Sequence, residues 1–117
     1  TAALLARHNI GIVDLGNKQK INTISTGFLQ DIGSWIWMPV YVEYSVSDDG
    51  VTFKPVAEIK NTVPINDYKC TIHDLTSDVK TEGRYVKVKA YNIGTIPEWH
   101  LGAGYSGWIF VDEIMID

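Results

Sequence analysis

Residues 40–59 read VYVEYSVSDDGVTFKPVAEI, and this stretch carries the clearest structural signal in the chain. Apolar and polar residues alternate along 40–46, so an extended backbone places the two kinds on opposite faces. One face would hold Val40, Val42, Tyr44 and Val46, and the other Tyr41, Glu43 and Ser45. SDDG at 47–50 is typical of a turn, and 51–59 then resumes the extended pattern. The stretch predicts a β-hairpin with one buried face.

The same pattern continues through the rest of the chain. RYVKVKAYN at 84–92 would bury Val86, Val88 and Ala90 and leave Lys87 and Lys89 in water. Turn residues recur about every ten residues, whereas a helical period is hard to find outside TAALLAR at the start. Further strand candidates are GIVDLG, KINTISTGFLQ, YKCTIHDL and WIFVDEIMI. About seven short antiparallel strands predict an all-β sandwich or jelly roll, with TAALLAR either a turn or part of a first strand.

Length and charge exclude several classes of partner. The 117 residues suit one domain, and the chain starts at Thr1 without a methionine, so we expect a piece of a longer protein. The 10 basic residues are outnumbered by 14 acidic ones and form no basic patch, which argues against nucleic acid and anionic membrane. No apolar run is long enough for a membrane helix, so we expect no membrane insertion. The single cysteine, Cys70, is predicted to be a buried, inert thiol.

Nothing in the sequence indicates catalysis. Asp112 and Glu113 are adjacent on a predicted strand, so we expect them to leave opposite faces and not to converge on one glycosidic bond. Nucleophile elbows and phosphate-binding loops are absent. His8, His73 and His100 are isolated and lack the spacing of a zinc site. We therefore predict that this domain is not an enzyme.

Two long connections hold three of the four tryptophans. The first, LQDIGSWIWMP at 29–39, contains Trp35 and Trp37; the second, NIGTIPEWHLGAGYSG at 92–107, contains Trp99. Ordered loops of this length are usually functional. An extended backbone would place Trp35 and Trp37 on one side, either packed inward or offered to a partner. We expect Trp37 to brace the loop and Trp35 to reach solvent.

The second connection has a composition that suits a shallow sugar site. Its glycines alternate with large rings, and a pyranose can lay its C–H face on an indole while its hydroxyls bond polar side chains. The alternative is that the rings pack beneath the loop. That alternative is favoured for Trp108, which leads directly into a strand, and both interpretations stay open for Trp99 and His100.

Several strings also resemble a known family. VDLGNKQKINTIS, SVSDDGVTF, RYVKVKAYN and WIFVDEIMI occur in an order that resembles the F5/8 type C, or discoidin, domain. FLQDIGSWIWMP and PEWHLGAGYSGWIFVDEI are similar to the C-terminal module of Bacteroidetes glycoside hydrolases, above all chitobiase-like family 20 β-N-acetylhexosaminidases. The resemblance covers residues 10–117 and leaves 1–9 as an unassigned lead-in.

The resemblance implies a galactose-binding-like jelly roll of about eight strands, without catalysis of its own. It would be appended to a hydrolase outside the cytoplasm and would hold that enzyme on its glycan through loops at one end of the sandwich. The alternative is a structural module that packs on the parent catalytic domain. Our candidate sugar-binding residues, all in the two connections, are Asp31, Trp35, Trp99, His100 and Tyr105.

A structural calcium is also implied by the resemblance. A glutamate in the last strand is a usual ligand in the related modules, and it maps onto Glu113. The acidic and threonine ligand segment expected of those modules is not recognisable before GIVDLG. Calcium is the one cofactor that the sequence raises.

Overall fold

A computed structural model describes residues 4–6 and 9–117 of the chain, so His8 lies outside the described residues. The described part forms six strands and one short 3-10 helix at Ile32–Ser34. The strands are β1 (Leu4–Ala6), β2 (Asn9–Gln30), β3 (Tyr41–Ser47), β4 (Lys54–Lys60), β5 (Thr71–Tyr91) and β6 (Ile109–Ile116). No helix in this part of the chain has the length and hydropathy needed to cross a membrane.

The six strands are hydrogen-bonded in the order β1-β6-β2-β5-β3-β4, and every pair is antiparallel. The long strands β2 and β5 run through both halves of the structure. Their 9–14 and 85–90 segments pair beside β3 and β4, and their 19–30 and 71–83 segments pair beside β6 and β1. Both halves contribute to one core, so the predicted all-β antiparallel sandwich is confirmed.

Tyr44 joins the two halves through the core. It comes from β3 and is fully buried, and its hydroxyl donates to the Leu75 carbonyl at 2.5 Å and shares a 3.0 Å hydrogen bond with the Thr26 hydroxyl. Burial raises the pKa of Tyr44 to about 12. A phenol this deep is satisfied only while both half-sheets are in place.

The count of six strands is lower than predicted because two pairs of predicted strands are continuous. GIVDLG and KINTISTGFLQ both lie in β2, while YKCTIHDL and RYVKVKAYN fall largely within β5. The turn-like residues between them bend the strands without ending them. Gly16 and Lys80 have positive φ (89° and 43°), and the β2–β5 register shifts between Asp14 and Gln19 before pairing resumes. TAALLAR, left open by its sequence, contributes the short strand β1.

The predicted hairpin is formed by β3 and β4, in a register from Tyr41 opposite Lys60 to Val46 opposite Lys54. The Asp49 carboxylate accepts the backbone N–H groups of Thr52 and Val51, each at 2.9 Å, and these bonds lower its pKa below the usual 3.8. The turn therefore extends to residue 53, and β4 begins three residues later than the alternation suggested.

The predicted core faces are largely correct. Val42, Tyr44 and Val46 are buried, as are Val86, Val88 and Ala90. Val40 is the exception: it is 48% exposed, because it precedes β3 and does not follow the alternation of that strand.

The prediction for Cys70 is wrong. This thiol is exposed, because Cys70 lies in the connection just before β5 begins at Thr71, where strand alternation does not yet apply. The apolar character of the Cys70 side chain was therefore not enough to predict its burial.

A β-bulge in β6 also contradicts a prediction. Gly27 pairs with Glu113 and the next residue, Phe28, pairs with Val111, so Asp112 is an extra residue. Val111 and Ile114 both pack on the core. Asp112 and Glu113 between them therefore share the outer face instead of leaving opposite faces, since a bulge interrupts alternation.

Candidate functional site

Three connections meet at one end of the sandwich. In chain order they are the first loop (31–40), the second loop (61–70) and the third loop (92–108). The first and third correspond to the two connections that the sequence singled out, although Gln30 still belongs to β2. The second loop was not predicted to take part.

The first loop begins with a closed turn. Asp31 and Ile36 exchange backbone hydrogen bonds of 2.9 and 3.1 Å around the 3-10 helix, and the Asp31 carboxylate accepts the Ser34 hydroxyl at 2.9 Å. Trp35 ends this helix in the left-handed region with φ 65°. Such a conformation is strained for a bulky residue and persists only when the surroundings fix it.

The expectation that Trp35 and Trp37 lie on one side of an extended segment is therefore wrong, because the backbone at Trp35 is not extended. The two indoles nevertheless differ in burial as expected. Trp37 is 1% exposed and donates its indole N–H to the Ile65 carbonyl at 2.8 Å, which braces the second loop. Trp35 is only partly buried.

Backbone hydrogen bonds join the first loop to the third. Trp37 N–H donates to the Trp108 carbonyl at 3.1 Å, and Trp108 N–H donates to the Trp35 carbonyl at 2.9 Å. Trp108 is partly buried in the residue just before β6, in line with the packing role favoured for it. The two loops thus form one unit at their base.

Two glycines of the third loop lie directly against these indoles. A Cβ at Gly102 would stand 2.7 Å from Cε2 of Trp35, and one at Gly107 would stand 3.0 Å from Cε3 of Trp37. Only a residue without a side chain permits this approach. Gly102 and Gly107 therefore make room for the rings of the first loop.

His100 lies beneath the loops and has no free ring nitrogen. Its Nδ1 accepts the Gly102 N–H at 2.9 Å, which leaves the proton on Nε2, and Nε2 donates to the Ile32 carbonyl at 2.5 Å. The side chain is buried, and its ring centroid is 5.1 Å from that of Trp37. The imidazole therefore ties the third loop to the first, which is the packing position of the two that the sequence left open for it.

The residues that reach solvent are large rings. Trp99 is 45% exposed, Tyr105 66% and Tyr68 58%, and the partly buried Trp35 lies beside Tyr105. Trp35 stacks on Tyr105 at 5.7 Å between centroids, and Trp99 meets Tyr68 edge to face at 6.0 Å. We call these four residues the aromatic surface. It brings together three of the five candidate sugar-binding residues, with Asp31 and His100 in the supporting turn and floor.

Sequence reasoning missed Tyr68. Its ring lies nearly parallel to that of His100, at 6.4 Å and 13°. The residue was assigned to the strand YKCTIHDL, but β5 starts only at Thr71. The turn-forming run PIND at 64–67 comes directly before it and is the signal that places this ring on a loop.

Comparison with known proteins assigns the family. A family model for the F5/8 type C domain matches residues 9–110. The chain belongs to the F5/8 type C domain family. Domains of this family are generally non-catalytic binding modules. No curated protein matches the sequence.

Two solved structures share the fold of this F5/8 type C domain. One is CpGH89CBM32-5 from Clostridium perfringens, in complex with GalNAc-β-1,3-galactose, with a TM-score of 0.59 and 20% identity over 93% of this chain. The other is the C-terminal domain of a chitobiase from Bacteroides fragilis, with a TM-score of 0.50 and 17% identity over 92%. The chain spans 65% and 64% of the lengths of these two proteins. At such identities the likeness shows the fold alone.

The calcium that the resemblance predicts for this F5/8 type C domain would be bound at Glu113. Glu113 shares the outer face with Asp112. The Asp74 carboxylate lies close to the same place, because a Cβ at Gly27, which pairs with Glu113, would stand 2.9 Å from Oδ1 of Asp74. Yet no group of three or more acidic, histidine or cysteine side chains suited to a metal ion occurs among residues 4–6 and 9–117. These side chains do not by themselves make a calcium site, so calcium at Glu113 stays a prediction.

Proposed function

We propose that this F5/8 type C domain is a non-catalytic carbohydrate-binding module and that it binds glycan through the aromatic surface. The observation that supports the proposal most directly is that exposed rings are held on loops fixed from beneath. Trp99 and Tyr105 are largely exposed, while His100 and Trp37 below them are buried and hydrogen-bonded. A preformed aromatic surface of this kind suits the C–H faces of sugar rings, because little ordering is needed on binding.

The roles of the candidate residues follow from their positions. We assign ring contacts to Trp35, Trp99 and Tyr105. His100 acts by positioning, because both of its nitrogens are already engaged. Asp31 has one carboxylate oxygen bonded to Ser34, and its other oxygen is a candidate acceptor for a sugar hydroxyl.

We further propose that the domain is part of a secreted or cell-surface glycoside hydrolase that acts on N-acetylhexosamine glycans. The fold is shared with a module named for a GH89 enzyme and with the C-terminal domain of a chitobiase. The two aromatic loop motifs support the same assignment through their resemblance to chitobiase-like enzymes. The domain would keep the catalytic domain near its glycan and contribute no catalytic group.

Calorimetric titration with N-acetylglucosamine, N-acetylgalactosamine and galactose oligomers tests the binding role. We expect dissociation constants from about millimolar to micromolar, that is, roughly 4 to 8 kcal/mol. Trp99→Ala should weaken oligomer binding by roughly tenfold, the size of one aromatic contact. Val51→Ala is the control, since Val51 is 83% exposed in the hairpin turn outside the aromatic surface. The proposal would be overturned if the wild-type domain showed no detectable binding to any of these sugars or to a glycan array.

A second candidate function is packing on the parent catalytic domain. It is favoured by Leu101, which is 101% exposed at the edge of the aromatic surface and offers no hydrogen bond to a sugar. Exposed apolar clusters often mark protein interfaces. In that case Leu101→Ser should lower the stability of the full-length protein and leave the isolated domain and its sugar affinity unchanged.

A further inference from the structure

The aromatic surface consists of two ring pairs. The first ring pair is Trp35 with Tyr105, stacked at 29° between planes; the second is Trp99 with Tyr68, at 62°. Each pair contacts His100, at 6.4 Å from Trp35 and 6.0 Å from Trp99. Among the described residues no ring contact joins one pair directly to the other. His100 therefore separates two aromatic groups.

Different loops build the two pairs. The first ring pair combines the first and third loops, and its indole rests against Gly102. The second ring pair combines the third loop with the second loop, which supplies Tyr68. Each pair thus has its own support, and the second depends on how the second loop is held.

Gln30 holds the second loop. Its side chain is 1% exposed, and its amide N–H group donates to the carbonyls of Pro64 at 2.9 Å and Asp67 at 3.2 Å. Its amide oxygen accepts the Met38 N–H at 3.3 Å. Asp67 immediately precedes Tyr68, so this buried amide fixes the backbone that carries the Tyr68 ring.

We propose that the two ring pairs bind two sugar residues of one glycan, so that the ligand is an oligosaccharide of at least two residues and not a single terminal sugar. Tyr68 is a sugar-contacting residue, and Gln30 is its positioning residue. None of the four ring-bearing side chains is charged, and each pair offers a tyrosine hydroxyl. This inference rests on the proposed function.

The first test compares a monosaccharide with its di- and trisaccharide by calorimetry, using the sugar that the wild-type domain binds. We expect a gain of roughly tenfold in affinity on adding the second residue, the size of one further aromatic contact. Tyr68→Ala should remove that gain and leave monosaccharide affinity within about threefold, because the first ring pair is intact. Tyr68 is exposed, so this variant should fold.

The second test asks whether Gln30 acts through Tyr68. Gln30→Glu places an acceptor against the Pro64 and Asp67 carbonyls and cannot donate to them. We expect it to remove the oligosaccharide gain as Tyr68→Ala does, and to have no further effect in a Tyr68→Ala background. Gln19→Glu is the charge-matched control, because within the described part of the chain the Gln19 side chain bonds only to nearby Leu15 and Asn17.

The possible results separate the two claims. If the domain binds sugar but the disaccharide binds no tighter than the monosaccharide, or if Tyr68→Ala keeps the gain, the inference is wrong and the proposed function stands. If Gln30→Glu weakens the monosaccharide as much as the oligosaccharide, the positioning role is wrong. If the wild type binds no sugar at all, the proposed function fails and the two-residue ligand fails with it.

Discussion

Gly102 approaches the indole of Trp35 so closely that a Cβ at this glycine would lie 2.7 Å from Cε2 and 3.0 Å from Cδ2 of the ring. Tyr105 stacks on the same indole at 5.7 Å. The ring thus has neighbours in two directions, and it cannot retreat without disturbing the strained backbone at Trp35. The position of the first ring pair is set by the absence of a side chain at one residue.

Gly102→Ala should accordingly destabilise the domain by about 1 to 3 kcal/mol, the usual cost of overpacking. Urea unfolding measures the loss. Gly33→Ala is the matched control, since a Cβ there meets only Oδ1 of Asp31 at 3.7 Å and should change stability by less than about 0.5 kcal/mol. Equal stability of the two variants would show that the indole has room to move.

His100→Phe should keep the bulk of the ring and remove both of its hydrogen bonds. The buried Gly102 N–H would then lose its partner, at a cost of about 1 to 3 kcal/mol, while the Ile32 carbonyl would still accept the Trp35 N–H at 3.1 Å. Acrylamide quenching of tryptophan fluorescence should increase as the loops loosen. His73→Phe serves as the control because His73 is partly buried and its ring, among residues 4–6 and 9–117, bonds only to the neighbouring Thr71 hydroxyl. Unchanged quenching in His100→Phe would contradict the bracing role.

Tyr44 predicts a loss of stability at alkaline pH. Burial raises its pKa from 10.0 to about 12 in the folded domain, so the folded state holds its proton more tightly than the unfolded chain does. The resulting stabilisation is fully present below pH 10 and is lost as pH rises toward 12, on the order of 2 to 3 kcal/mol. Unfolding free energies at pH 9 to 12 should fall more steeply for the wild type than for Tyr44→Phe. Parallel curves would show that Tyr44 is not the group responsible.

Asp14 predicts a loss of stability at acidic pH. The bidentate hydrogen bonds from Arg84, at 2.9 and 3.0 Å, lower the pKa of Asp14 below its ordinary 3.8. The stabilisation from this pair is therefore present above pH 3.8 and is lost as pH falls through the lower folded-state value. A carboxyl NMR titration should give a midpoint below 3.8, and Arg84→Met should return it toward that value. A wild-type midpoint at or above 3.8 would contradict the ion pair.

Alternation along the strands predicted the fold because burial follows a period of two wherever pairing is regular. The hairpin around SDDG and the inward faces of Val86 and Val88 illustrate this. The same reasoning failed where one residue breaks the period. The bulge at Asp112 and the left-handed backbone at Trp35 are set by neighbouring strands and loops. No local pattern in the sequence predicts either feature.

The supporting residues of the candidate site were harder to predict than its exposed rings. Trp99 and Tyr105 stand out in a glycine-rich segment, whereas Gln30 reads as an ordinary polar residue near the end of a strand. Its importance comes from carbonyls more than thirty positions away, at Pro64 and Asp67. Long-range partners of this kind appear only when the strands are assembled.

The pairing of β2 with β5 also bears on how quickly the domain forms. Gln30 pairs with Thr71 and Asn9 with Ala90, so the contacts between these strands join residues roughly 40 to 80 positions apart. Loops of that size must close before any of these hydrogen bonds forms, which places the domain among slow folders, on a scale of about milliseconds to seconds. The β3–β4 hairpin closes through its short turn and has no such delay. Gln30 stands at the rung that closes the smallest of these loops, so the loops that carry the rings can take their final positions only once β2 and β5 have begun to pair.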